Sequence, residues 1–291
     1  MSPAAGRTRK GGISGYGMGS SDEVLSVDEA AGAANELAGT GPSVARLSEL
    51  AGSDLIVAID GLVAGYGKME VLHGFNLRVG AGQSLCLIGP NGAGKSTVLH
   101  SIFGFTRITA GSIAVAGRNV TRVAASEKLR TAGVAYILQN SSVFPDMTVE
   151  ENLLLGGFLK DRPREARRAA DRIFDKYASL AARRRQRAGV LSGGERRLLE
   201  ISRALVMDPS VLLVDEPSIG LEPRFIDMVF DILRDLQHGE GKTIVMVEQN
   251  AKKGLEFADI GYVLVSGRLA LAGSGAEMLA NPEVGRLFLG G

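Results

Sequence analysis

Apolar positions along this chain fall into short runs, the clearest being "LIVAI" (55–59), "SLCLI" (84–88), "VAYIL" (134–138), "VLLV" (211–214) and "TIVMV" (243–247). Consecutive apolar residues without alternation predict strands covered on both faces. Helical patterns separate most of the later runs, which predicts crossover units and a mainly parallel sheet in an α/β domain spanning residues 54–291. Between "VAYIL" and "VLLV", about residues 143–190, the chain reads as helical and rich in Arg. That stretch is too long for a simple crossover and predicts an inserted helical subdomain. Residues 1–53 are rich in Gly, Ala and Ser and poor in large apolar side chains. Too little burial to offset ordering entropy predicts a flexible, low-complexity extension. Within it, Ser20 and Glu23 have capping-box spacing ahead of "VLSVDEAAGAANELAG", which allows a weak helix.

Composition narrows the class. The chain has 291 residues, 45% of them hydrophobic and 22% charged, with a formal net charge of +1. Those are the proportions of an ordinary soluble protein and give no reason to expect a nucleic-acid partner. Arg167, Arg168, Arg183, Arg184, Arg185 and Arg187 form a local basic segment, read as a solvated helix face or subunit contact. Cys86 is the only cysteine, so an internal disulfide and a thiol metal cluster are excluded, and its apolar setting predicts a buried structural thiol. No apolar run approaches the roughly 18 residues that span a bilayer. The opening "MSPAAGRTRKGGISGYGMGS" has basic residues but no apolar h-region. The expected setting is intracellular and soluble.

In such sheets ligands bind beyond the carboxyl ends of the strands. After "SLCLI" comes "GPNGAGKST": Gly89, Pro90, Asn91, Gly92, Ala93, Gly94, Lys95, Ser96 and Thr97. This fits the phosphate-binding loop, whose glycines let successive amide groups point at phosphate oxygens. Lys95 brings positive charge to the β- and γ-phosphates, and Ser96 offers a hydroxyl to Mg²⁺. A helix from about Ser96 to Phe103 would turn its positive end toward the anion. After "VLLV" come Asp215, suited to hold the metal, and Glu216, suited to take a proton from an attacking water. Gln139 follows "VAYIL", with an amide suited to the metal or the water. Gln249, in the polar triplet Glu248, Gln249 and Asn250 after "TIVMV", completes four strand ends aimed at one phosphate-and-metal site.

One further segment carries a family likeness. "LSGGERR", with Leu191, Ser192, Gly193, Gly194 and Glu195, precedes a helix with apolar residues at 198, 201 and 205. A hydroxyl at a helix N-terminus makes a second anion site. Together with the loop and "VLLVDE", the segment resembles the signature motif of ATP-binding cassette (ABC) proteins, across roughly residues 54–291. The resemblance implies a P-loop NTPase fold: an ABC ATPase domain with a mainly parallel core sheet, an N-terminal antiparallel β region and the inserted helical subdomain. It implies ATP and Mg²⁺ as cofactors and two subunits facing head to tail, each ATP between one P-loop and the partner's signature helix. Tyr66, in "VAGYGK", then matches the aromatic that stacks on adenine, the alternative being a core tyrosine. Gln139 matches the glutamine that senses nucleotide and couples to membrane partners, and "SIGLEP" (218–223) the dimer-contact loop. Glu216, Gln249 and Lys95 are the implied catalytic residues, and Ser96, Gln139 and Asp215 the implied metal ligands.

Within that family the chain is most similar to ATP-binding subunits of branched-chain amino acid importers. The carrying segments are "MTVEENLLLG", "QRAGVLSGGE", "EPSIGLEP", "VEQNAKKGLEFADIGYVLVSGR" and "NPEVGRLFLGG". Most ABC ATPases have His at the position of Gln249, whereas this subfamily reads "VEQN". Glu222 replaces an Asp of the contact loop, Arg196 a common Gln, and "QNSSVFPD" departs from the subfamily's usual segment. The likeness implies a second ATPase subunit, identical or not, integral membrane permeases, indirectly a substrate-binding protein, and no nucleic acid. The place implied is the cytoplasmic, inner face of the membrane, held peripherally through the permease. The alternatives are an ABC ATPase of another transporter (urea, another solute or lipid) and a soluble non-transport ABC ATPase. The single P-loop and the absence of a long heptad run weigh against the last.

Overall fold

The computed structural model describes residues 41–139 and 142–289. In chain order the elements are α1 (Val44–Ala51), β1 (Leu55–Tyr66), β2 (Met69–Gly80), β3 (Ser84–Ile88), α2 (Lys95–Phe103), β4 (Arg107–Val115), β5 (Arg118–Asn119), α3 (Ala125–Ala132) and β6 (Val134–Ile137). There follow α4 (Val149–Gly156), α5 (Pro163–Lys176), α6 (Ala178–Ala181), α7 (Gly193–Leu205), β7 (Val211–Asp215), α8 (Pro223–Arg234) and β8 (Thr243–Val247). The chain continues through α9 (Ala251–Phe257), β9 (Ile260–Val265), β10 (Arg268–Ser274), α10 (Gly275–Ala280) and α11 (Pro282–Phe288).

Two sheets result. The core sheet has the order β10-β9-β3-β8-β7-β6, parallel throughout except for β10, which runs antiparallel to β9. The second sheet, β2-β1-β4-β5, is antiparallel. Successive side chains of a strand point to opposite faces, and the apolar runs divide accordingly. Cys86, Leu212, Val214, Ile244 and Met246 join the core shared with α4, α5 and α7. Leu85, Leu87, Leu213, Val245 and Val247 join Phe75, Leu77 and the α2 residues Val98, Leu99 and Ile102 on the other face. Each such fully buried side chain is worth about 1.5–3 kcal/mol relative to exposure. Two covered faces explain why these strands read as unbroken apolar runs rather than alternating ones. The parallel register also aligns the strand ends, with Asp215 beside Val247 and Ser84 beside Ile244.

The amino-terminal boundary differs from the sequence expectation. Residues 44–51, assigned to a flexible extension, form α1. Ser43 caps it by accepting from the Arg46 amide, Gly52 closes it at φ 72°, and Leu47 and Ala51 bury one face. Gln83 Nε2 donates to Leu50 O at 3.1 Å, tying α1 to the turn between β2 and β3. Average composition concealed a short segment whose apolar residues recur at helical spacing. The weak helix expected after Ser20 lies outside the described residues.

Cys86 is fully buried, and burial pushes its thiol pKa far above the usual range, with Glu248 adding to the effect. Gly254 lies so close that a Cβ there would meet Cys86 Sγ at 2.6 Å. No helix among the described residues is long and apolar enough to cross a membrane.

Candidate active site

The loop between β3 and α2 is shaped by its backbone. Gly89 has φ 144°, and a Cβ on it would lie 2.1 Å from Leu264 O, so only glycine fits. Gly94 is left-handed at φ 99° and leads into α2 without a side-chain cap. The first amide groups of α2 therefore keep their hydrogen-bonding capacity for an anion. Lys95 opens the helix and is buried, its Nζ donating to Gly89 O at 2.8 Å and Pro90 O at 3.0 Å. Burial lowers its pKa, and the carboxylates of Glu216 and Asp215 act in the opposite direction.

Asp215, at the end of β7, is held by both oxygens: Ser96 Oγ donates to Oδ1 at 3.0 Å and the Tyr136 hydroxyl donates to Oδ2 at 2.6 Å. Burial and this bond keep Tyr136 protonated, far above the usual tyrosine range. Ser96 and Asp215 thus present two hard oxygen ligands side by side next to the phosphate loop. That donor set suits Mg²⁺, which is held by one or two protein oxygens plus phosphate and water. No group of three or more His, Cys, Asp or Glu able to hold a metal occurs among the described residues.

Glu216 stands next in the chain with φ 41°, a left-handed conformation that costs about 1–2 kcal/mol for a non-glycine residue. Its amide donates to Val247 O at 2.9 Å, which locks the turn to β8. Its carboxylate accepts from Gln139 Nε2 at 2.6 Å. Burial, then the neighbouring Asp215 charge, raises the Glu216 pKa; the Gln139 bond and Lys95 pull it down. A carboxylate raised toward neutrality is a better proton acceptor than an ordinary one.

The remaining sequence candidates lie around this cluster. Tyr66 ends β1, is 39% exposed as a residue, and has its hydroxyl bonded to His100 Nδ1 on α2. Gln249 is exposed on the loop after β8, while its neighbour Glu248 is buried. Glu248 accepts from Ser218 Oγ at 2.6 Å and from the Asn250 amide at 2.9 Å. Of the three polar residues after "TIVMV", Glu248 therefore fastens loops rather than facing the site. Ser192 caps α7 in a capping box with Glu195, which also pairs with Arg183 at 2.5 Å. Gly194 packs so tightly on Phe225 that a Cβ would meet its ring at 2.2 Å. Among the described residues no hydrogen bond joins 191–195 to the phosphate loop of the same chain. The structure thus brings together Lys95, Ser96, Gln139, Asp215 and Glu216, and leaves Tyr66, Gln249 and the signature turn at the margin.

Three further residues belong to the site's framework and were not singled out in the sequence. Tyr136 sat inside an apparently apolar run. Arg197 and Glu200 form a buried ion pair on α7 at 2.8 Å. Polar residues on the helix face that carries Leu198 and Ile201 were the signal for that pair.

Known proteins resemble this chain over most of its length. The family model described as ABC transporter matches residues 72–219. The "High-affinity branched-chain amino acid transport ATP-binding protein BraG" of Pseudomonas aeruginosa is 40% identical over 236 residues, covering 81% of this chain and all of that protein. The LivG protein of Salmonella typhimurium, of the same description, is 31% identical, covering 82% of this chain and 99% of its own. The "Lipopolysaccharide export system ATP-binding protein LptB" of Haemophilus influenzae is 29% identical, covering 81% and 97%. Among solved structures, a nucleotide-free ATP-binding cassette from an ABC transporter superimposes with a TM-score of 0.72 at 26% identity, covering 81% of this chain and all of that one.

Proposed function

This chain belongs to the ABC transporter family and is an ATP-hydrolysing enzyme, and from that premise we propose that it is the energy-coupling subunit of an importer for branched-chain or related amino acids. The observation that carries the ATPase part is the meeting of Lys95, Ser96, Gln139, Asp215 and Glu216 beyond the carboxyl ends of β3, β6 and β7 in one sheet. The likeness to BraG over that protein's full length supports the choice of substrate class.

In this reading the 89–94 amides and Lys95 bind and orient the phosphates of ATP. Ser96 and Asp215 would hold Mg²⁺, which when bound neutralises charge on the β- and γ-phosphate oxygens. Gln139 orients Glu216, and Glu216 takes the proton of the attacking water. Gln249 helps align that water. Tyr66 stacks on adenine. Ser192 and the α7 N-terminus serve the nucleotide of a facing subunit, so closure of two subunits on ATP supplies the mechanical step and hydrolysis reverses it. Permease subunits in the membrane receive that motion, and the chain sits at the cytoplasmic face by docking on them.

The test is to purify the full-length chain with its membrane partners and measure which solutes, presented by the cognate binding protein, stimulate ATP turnover. Stimulation by leucine, isoleucine or valine supports the proposal. A response to lipid or to an unrelated solute alone replaces the importer assignment while leaving the ATPase intact.

A further inference from the structure

The ion pair of Arg197 and Glu200 lies within the first three turns of α7, with both side chains at least nine-tenths buried. Its outward bonds go to two backbone points that bracket Gln139. Arg197 Nη1 donates to Leu138 O at 2.8 Å, one residue before it. Glu200 Oε1 accepts from the Ser142 amide at 3.1 Å, three residues after it. Arg197 Nη2 also reaches Asp215 O at 3.5 Å, at the end of β7. Between these anchors Gln139 extends to Glu216. The two charges therefore grip the Gln139 segment on both sides and hold it against the strand that carries Asp215 and Glu216.

We propose that Arg197 and Glu200 are positioning residues for hydrolysis: their buried pair sets the reach of Gln139 to Glu216 and so transmits the placement of α7 to the hydrolytic carboxylate. The inference rests on the reading of Glu216 as general base. A simple core staple would need only apolar side chains here, which are often as stabilising as a buried ion pair or more so. Charges with outward bonds to backbone on three sides specify position. Because the same helix begins at Ser192, a shift of α7 on contact with a facing subunit would be felt at Gln139 through two rigid, short links.

The test uses ATP turnover, fluorescent-nucleotide affinity and melting temperature of the full-length chain. Arg197→Met removes the donors at similar length, Arg197→Lys keeps the charge, and Glu200→Gln keeps an acceptor for Ser142 while removing the charge. The expected result for Arg197→Met is a fall in kcat of tenfold or more with nucleotide affinity within threefold, partly recovered in Arg197→Lys. Combined with Gln139→Ala, it should be no slower than the slower single variant, because both act through one bond. Losses that multiply in the double variant overturn the proposal. So does a lowered melting temperature with unchanged kcat per folded molecule, in Arg197→Met or in Glu200→Gln, which stands in if the former does not fold. Glu216→Gln is measured alongside. Normal turnover there removes the general-base reading, whereas Glu216→Gln inactive beside fully active clamp variants removes this inference alone.

Discussion

Gln139 Nε2 donates to Glu216 Oε2 across 2.6 Å, joining the end of one strand to the residue just past the end of its neighbour. The bond fixes one oxygen of a carboxylate whose pKa burial has already raised, leaving the other for a water. Glu216→Gln keeps the shape and removes the basicity. Turnover should fall by about 100- to 10,000-fold, with ATP binding retained and the ATP-bound dimer accumulating. Measuring hydrolysis and ATP-dependent dimerisation on one preparation checks both halves; near-normal hydrolysis sinks the assignment.

Gln249 offers two donors and an acceptor but no charge change. Gln249→Ala should lower turnover more than it weakens ATP binding, because alignment matters most in the transition state. Gln249→His should keep substantial activity and add an acidic step near pH 6.5 to the pH–rate profile. If Gln249→Ala hydrolyses ATP at the parent rate, the residue only begins a loop.

Ser192→Arg places bulk and charge at the exposed start of α7 without touching residues 89–97. Nucleotide binding to a single subunit should survive, while dimer closure and hydrolysis fail. The lost cap should itself lower stability by about 1 kcal/mol, which thermal unfolding separates from the functional loss. Normal closure on ATP would contradict the head-to-tail arrangement.

The phosphate loop and the acidic pair were legible as candidates because their pattern is written locally. A phosphate loop needs its glycines and Lys95 within a few residues, and a strand end delivers Asp215 and Glu216 together. What escaped were bonds between distant segments. Tyr136 reaches Asp215 across 79 positions and Arg197 reaches Leu138 across 59, and no local period marks either. The helix α1 escaped for a different reason: eight residues of good helical spacing were diluted by the Gly-, Ala- and Ser-rich residues before them.

Lys128 on α3 is fully buried, with Nζ donating to Ile102 O at 2.8 Å and Val120 O at 2.7 Å. Burial lowers its pKa to about 8, against 10.5 unfolded. Between those values the unfolded chain binds the proton more strongly, so stability rises with pH. Below pH 8 both states are protonated and the folded state carries the full cost of the buried charge. Denaturant titrations at pH 7.5 and 9.5 should show a Lys128-dependent gain of about 2 kcal/mol. Lys128→Met should lack that gain; equal pH dependence in both proteins rules it out.

Leu47 is the fully buried anchor of α1. Leu47→Ala should destabilise the chain by about 2–5 kcal/mol, read as a lower melting temperature, while ATP affinity stays within a few-fold. An unchanged melting temperature would mean that α1 adds nothing to the fold.

Cys86 sits in the third strand of the core sheet, between β8 and β9, with its sulfur closed off by Gly254. A thiol reagent can reach it only after α9 lifts from that face of the sheet. The chain therefore carries its own clock for the uncovering of the nucleotide-binding sheet. The rate of modification by excess reagent reports how often that face opens, and a nucleotide that binds only the closed form should slow it by the factor 1 + [L]/Kd.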